Sequence, residues 1–174
     1  MNSLRLFHIS QDDTIDVFMP RPSPSHFQGL SQDCVFAITD ELQANYFFPR
    51  DCPRICIRIG SATTTNDAAE FFAHSIATSI IAIEHSWFET LCTTSLVQYE
   101  FDTTNFTELD ANAGYYFSTK PEVPKVKRLL HNIPELLFRH NVELRIVPRL
   151  WKLQEAVVQS TLQFSCIRMR NAQR

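Results

Sequence analysis

The stretch RLFHIS, residues 5–10, sets a histidine inside an apolar run. A neutral imidazole carries one donor and one acceptor, so a buried His8 must find partners. In a strand of period two, Leu6, His8 and Ser10 share one face, and Phe7 and Ile9 take the other. Two readings follow: a core histidine satisfied by backbone, or a cleft wall built from His8 and Ser10. Late in the chain, VELRIV (142–147) puts Glu143, Arg145 and Val147 on one strand face, with Leu144 and Ile146 opposite. That pattern reads first as a solvated strand face.

Three further stretches hold side chains suited to a phosphorylated ligand. In NYFFPRDCPR (45–54), Arg50 and Arg54 have planar forks that fit phosphate oxygens, and Tyr46 or Phe47 can stack on a ring. Alternatively Asp51 pairs with an arginine to pin the loop. Phe47 and Phe48 are assigned to the core, and Arg50 stays open between the two roles. In DANAGYYFS (110–118), Asn112 and Gly114 suit a turn into an edge strand. One of Tyr115 and Tyr116 then points inward while the other offers ring and hydroxyl to a ligand; the sequence does not choose between them. In SCIRMRNAQR (165–174), a strand would put Arg168 and Arg170 on one face, either as a diphosphate or acidic-partner site or as a solvated face opposite Ile167 and Met169.

Other chemistries find less support. The chain has 5 cysteines, mostly inside apolar runs, which reads as buried free thiols. Cys52 and Cys56 lack the second pair that a closed zinc site needs, so no metal is assigned. Cys34 has no visible base to lower its pKa. His85 follows Glu84 on what would be opposite strand faces, which suits a strand-to-helix junction. With only 3 glycines, neither a P-loop nor a dinucleotide fingerprint can be assembled. A formal charge of −3 supplies no chain-wide attraction to phosphate backbones, which disfavours nucleic acid as a partner. No apolar stretch approaches the roughly 20 residues needed to span a bilayer, and the opening MNSLRLFHISQDD turns acidic before a leader core can form. A soluble, cytoplasmic protein without a membrane partner is expected.

The elements that must position these residues alternate along the chain. Strands are expected at 4–9, 34–39, 54–59, 79–84, 96–101, 115–118, 142–147 and 161–169, with clear alternation in RICIRI and VELRIV. Helices are expected at 40–48, 66–77, 86–91, 133–140 and 150–160, with Asp40, Asn66 and Ser86 as N-caps of the first three. Prolines cluster at 19–25, 48–54 and 120–125 and mark loops or edge entries. The 174 residues fit one α+β domain with a bent, largely antiparallel mixed sheet flanked by short helices.

Segments from Leu6 almost to the C-terminus, including LFHIS, IDVFMPRP, VFAIT, NYFFPRDCPR, DANAGYYFS and VELRIVPRLWKLQEAVVQSTLQFSCIRMRNA, resemble an uncharacterised bacterial family. The departure lies between about residues 60 and 80, which resembles a variable peripheral helix. That resemblance implies a common fold and no activity. The order of a first strand holding a histidine, a strand-helix unit and a late strand opening with glutamate also resembles the ADP-ribosyltransferase-type NAD-binding fold. The counterparts are His8, the unit VFAITDELQANYF with Thr39 and Tyr46, and Glu143. The resemblance implies that His8 bonds the adenosine ribose, that an aromatic ring stacks on nicotinamide, and that Glu143 is catalytic. Its carboxylate would hold the nicotinamide ribose hydroxyl and stabilise the oxocarbenium charge as the glycosidic bond breaks.

Two functions are therefore expected. One is a ligand-binding or transferase domain with NAD, or an ADP-ribose-like molecule, as substrate. It would use His8, Ser10, Thr39, Tyr46, Arg50, Tyr115 or Tyr116, Glu143, Arg168 and Arg170. The other is a non-catalytic interaction or structural module, for which 14 phenylalanines and 2 tryptophans supply apolar surface.

Overall fold

A computed structural model describes residues 3–23 and 32–174 of the chain. Pro24 and Ser25 of the first proline cluster lie outside the described residues. In order, the chain forms β1 (Leu6–Ser10), β2 (Val35–Thr39), a 3₁₀ turn (Gln43–Tyr46), β3 (Arg54–Arg58), α1 (Thr65–Phe72) and β4 (Ser79–Glu84). After a 3₁₀ turn (His85–Trp87) come α2 (Phe88–Thr93), β5 (Leu96–Phe101), β6 (Thr107–Asp110), β7 (Tyr115–Ser118) and β8 (Val126–Leu130). The last elements are α3 (Ile133–Arg139), β9 (Val142–Val147), α4 (Trp151–Gln159), β10 (Gln163–Ile167) and a 3₁₀ turn (Met169–Asn171). The chain is an α+β protein whose strands divide between two sheets.

Two compact units share the chain. The first, residues 1–46 and 96–130, holds a six-stranded antiparallel sheet in the order β6-β7-β2-β1-β5-β8. Its centre is β1, which pairs with β5 along its whole length, from Leu6 with Phe101 to Ser10 with Val97. With β2 it pairs only at Leu6 with Thr39 and Phe7 with Ile38. Period two sorts the residues onto two faces. Leu6, Val35, Ala37, Val97, Tyr99 and Phe101 cluster with Phe18 on one, and Phe7, Ile38 and Leu42 cluster on the other.

The second unit, residues 47–95 and 131–174, holds a sheet in the order β10-β3-β4-β9. Its one parallel pair is β4 with β9, in register from Ser79 with Val142 to Glu84 with Val147. The crossover between them carries α2, the β5–β8 insertion and α3. Ile55, Ile57, Ile80 and Ala82 line one face under Phe71 and Phe72 of α1 and Val157 of α4. Each isoleucine, valine and phenylalanine among them contributes roughly 1.5–3 kcal/mol on full burial. Among the described residues no helix is long and apolar enough to cross a membrane.

Several local expectations shift. The run at 40–48 yields only the single 3₁₀ turn Gln43–Tyr46, entered through the Leu42 N–H donating to Thr39 O at 3.1 Å. The N-cap of α1 is Thr64, whose Oγ1 accepts from Asp67 N, and Asn66 lies inside the helix. Ser86 likewise lies inside a 3₁₀ turn that begins directly after β4, so Glu84 and His85 do form a strand-to-helix junction. The turn before β7 is built by Asp110, which accepts from the N–H groups of Asn112 and Ala113. Strands β6 and β8, absent from the expected set, form the two edges of the six-stranded sheet.

Candidate functional site

The Phe7 face of the six-stranded sheet is where polar chemistry concentrates. Arg5, Phe7 and Ile9 share that face by alternation, and register brings Glu100 beside Phe7 and Gln98 beside Ile9. Arg128 lies across from Gln98 on β8. Arg5 grips Glu100 as a fork, Nε donating to Oε1 at 3.1 Å and Nη2 to Oε2 at 2.9 Å. Arg128 Nη1 donates to Glu100 Oε2 at 3.1 Å and to Gln98 Oε1 at 3.2 Å. Gln98 in turn donates to Gln43, and Gln43 Nε2 donates to Asp40 Oδ1 at 2.5 Å. Asp40 lies 3.8 Å from Arg5, which closes a ring of side chains.

Inside that ring Glu100 is buried, its side chain 8% exposed, while Arg5, Lys125 and Arg128 stay 40%, 47% and 48% exposed. The Arg5 hydrogen bonds, helped by Arg128 and Lys125, push its carboxyl down to about 2 against the opposing effect of burial. The Arg5 guanidinium also sits 4.9 Å above the Phe7 ring. Phe7 belongs to the apolar cluster against which Tyr46 and Tyr115 pack. The two tyrosine hydroxyls are hydrogen-bonded at 2.5 Å.

The expected site residues separate on this frame. Tyr46 and Tyr115 come together on the Phe7 face. His8 lies on the opposite face, its Nδ1 bonded to Phe36 O at 3.0 Å and its ring 4.9 Å from Phe18. It takes up a backbone carbonyl just where β1 and β2 stop pairing. Tyr116 shares that face and donates to Glu108 Oε2 at 2.8 Å, so the two adjacent tyrosines point to opposite sides of the sheet. Ser10 Oγ accepts from Asp12 N and begins the loop after β1. Thr39 ends β2, its N–H donating to Gly114 O at 3.1 Å.

Arg50, Glu143, Arg168 and Arg170 belong to the second unit. Glu143 accepts from Arg145 Nε at 2.6 Å, and Arg145 Nη2 donates to Phe71 O at 2.7 Å. A hydrogen bond from Ser75, then Arg145, holds the Glu143 carboxyl below its usual range. The loop holding Arg50 is pinned through its main chain, with Arg168 Nε donating to Arg50 O and Asn171 Nδ2 to Asp51 O. Asp51 forms no ion pair among the described residues. Arg54 is buried, donating to Cys52 O at 2.9 Å over the Phe48 ring, so it is internal and not a phosphate grip. The strand face expected to pair Arg168 with Arg170 does not form, because β10 ends at Ile167. Arg168 then turns into the left-handed region at φ 56° and Arg170 falls in the last 3₁₀ turn.

Cys34, Cys52 and Cys56 are buried free thiols, whereas Cys92 is exposed and Cys166 half-buried. Burial pushes Cys52 and Cys56 up to about 12, so neither is a ready nucleophile. Among the described residues no group of three or more His, Cys, Asp or Glu side chains could hold a metal ion.

Sequence reasoning missed Arg5, Gln43, Gln98, Glu100, Lys125 and Arg128. The available signal was LVQYEF, in which Gln98 and Glu100, two apart in an otherwise apolar strand, must share a face and need partners if buried. Fold and site together define an α+β protein with a closed polar ring on one face of an antiparallel sheet. The chain belongs to a family of unknown function (DUF6886), whose model matches residues 7–172. No curated protein and no solved structure matches it.

Proposed function

We propose that the chain binds a small nucleotide-like anion, NAD or ADP-ribose, on the Phe7 face of the six-stranded sheet. The observation that carries this reading is the set of half-exposed cations fixed around one buried carboxylate. Among the described residues Arg5, Lys125 and Arg128 form ion pairs with Glu100 and Asp40 alone, three cations against two carboxylates in a chain of net charge −3. Arg128 uses Nη1 alone, so its Nε and Nη2 have no partner among the described residues and can serve phosphate oxygens. On the same face, toward β7, Tyr46 and Tyr115 pack on the Phe7 cluster and offer half-buried rings for stacking and a hydrogen-bonded pair of hydroxyls for a ribose. The reading is one of binding; Glu143, the carboxylate that transfer would call on, is held by Arg145 in the other unit.

Calorimetric titration with NAD and with ADP-ribose tests it. Saturable heat is expected, weakened about tenfold or more by Arg128→Ala, since a hydrogen bond to a charged group contributes roughly 1.5–3 kcal/mol. His8→Ala, on the opposite face, should lower stability by about 1–3 kcal/mol by removing the ring's hydrogen bond to the Phe36 carbonyl and its packing on Phe18, and leave affinity unchanged. No heat and no thermal shift at millimolar NAD or ADP-ribose overturns the reading.

A further inference from the structure

The second unit has its own concave surface, at the end of its parallel pair. Strands β4 and β9 finish side by side, Glu84 in register with Val147, and continue as His85–Ser86 and Pro148–Arg149. In open α/β sheets, ligand crevices lie outside the carboxyl ends of the strands at a switch point, and this edge pair presents the same kind of strand ends. Here His85, Ser86, Pro148 and Arg149 line an open depression of about 500 Å³ together with Ile146, Val147 and Gln173.

Gln173 organises the polar side of this depression. Its N–H donates to both oxygens of Glu84, each at 3.0 Å, and Glu84 is fully buried. Its Nε2 donates to Ser86 Oγ at 3.0 Å, and its Oε1 accepts from Arg149 Nη1. Arg149 Nη1 also donates to Pro148 O at 3.0 Å. One nitrogen of the guanidinium therefore holds the side chain in place. Nε and Nη2 have no partner among the described residues, and neither does the His85 ring. The nearest carboxylate in this chain of contacts, Glu84, is enclosed and engaged by the Gln173 amide. On the apolar side, Ile146 is 38% exposed at the end of β9.

We infer that this depression binds a small organic oxyanion, a carboxylate or phosphate group on a short apolar body. Arg149 would hold the head through Nε and Nη2, a geometry that matches the two oxygens of either group. Ser86 and the His85 ring lie beside the head, and the exposed Ile146 side chain takes the body. The inference uses other residues than the nucleotide reading, in the other unit, and stands or falls without it.

The probes are benzoate and phenyl phosphate, with benzyl alcohol as the uncharged analogue, titrated into the full chain and followed by ¹H–¹⁵N NMR. Saturable shifts are expected at His85, Arg149 and Gln173 with both anions, and benzyl alcohol should bind about tenfold more weakly or worse. Arg149→Gln should weaken both anions by a similar factor while Arg128→Ala leaves them unchanged. Should Arg149→Gln fail to give a folded spectrum, the doubly exposed pair His85→Ala and Ser86→Ala serves instead, again with a loss expected. The inference is overturned by an absence of saturable shifts at these residues. It is equally overturned by shifts that persist unchanged in the variants, or by benzyl alcohol binding as tightly as benzoate. A preference for phenyl phosphate over benzoate would assign the head as phosphate, and the reverse would assign it as carboxylate.

Discussion

Glu100 is nearly enclosed, yet it stays ionised because Arg5, Arg128 and Lys125 reach it from the more exposed side. A carboxyl brought from 4.5 to about 2 makes stability depend on pH in a definite direction. The stabilisation is complete above the unfolded value and disappears as pH falls from about 4.5 toward 2. Glu100→Gln keeps the size but removes the charge, leaving Arg128 and Lys125 without their carboxylate, and should cost about 1–3 kcal/mol at neutral pH. Urea denaturation at pH 7, 4 and 3 should show the gap between the two proteins closing as pH drops; a gap that does not change with pH would refute this account. Period two correctly put Tyr115 and Tyr116 on opposite faces and Glu143 with Arg145, because alternation is a backbone property. What covers a face is not, so the Leu6–His8–Ser10 face gave no sign that Phe18 and Tyr99 would fill it. Arg168 and Arg170 escaped for another reason: alternation assumes the strand continues, and β10 stops one residue short of Arg168.

At the scale of elements, interior strands were readable because they are apolar or alternate, and edges were not. β6 reads TELD and β8 reads VKRLL, and charged residues on an edge strand obstruct pairing with another chain while weakening the apolar signal. The helix candidates were placed by composition, and their ends moved: α1 starts earlier than expected because Thr64 caps it in place of Asn66, and it stops at Phe72 rather than 77. The turn between β6 and β7 gives the sharpest test of an element. Gly114 has φ 66°, and a Cβ there would meet Thr39 Oγ1 at 2.6 Å and Leu42 Cδ1 at 2.9 Å. Gly114→Ala therefore combines left-handed strain with a clash and should cost about 1–3 kcal/mol. Gly60→Ala is the matched comparison, since its Cβ would meet only the Gln163 side chain, at 2.7 Å, and that chain can swing away. Thermal denaturation should show the Gly114 variant as clearly the less stable of the two. Equal losses would mean that the turn geometry carries no special requirement.

Across the whole molecule, the expected single bent sheet becomes two because strand order along the chain does not reveal strand partners. β1 finds β5, pairing Leu6 with Phe101, while β3 and β4 between them build the other sheet. Residues 96–130 return to the first unit, and the crossover from β4 to its parallel neighbour β9 is interrupted by that return. Each unit thus has a core made from separated segments, and in each the inner strands are buried on both faces. Ile55, Ile80, Ile81 and Ile83 of β3 and β4 are at most 1% exposed, as are Leu6 and Phe7 of β1. Amide exchange follows the free energy of the opening that frees each N–H, which is smallest where few buried contacts must break. The amides of β1, β3 and β4 should therefore exchange slowest, near the global limit of their units. β6 should exchange fastest among the strands, because it is an exposed edge with a register shift between Glu108 and Asp110. Adding NAD or ADP-ribose should slow exchange in β5 and β8, which carry Gln98, Glu100 and Arg128, before it affects β3 or β4. Protection gained in β3 and β4 alone would place the nucleotide on the wrong unit and remove the ring around Glu100 as its site.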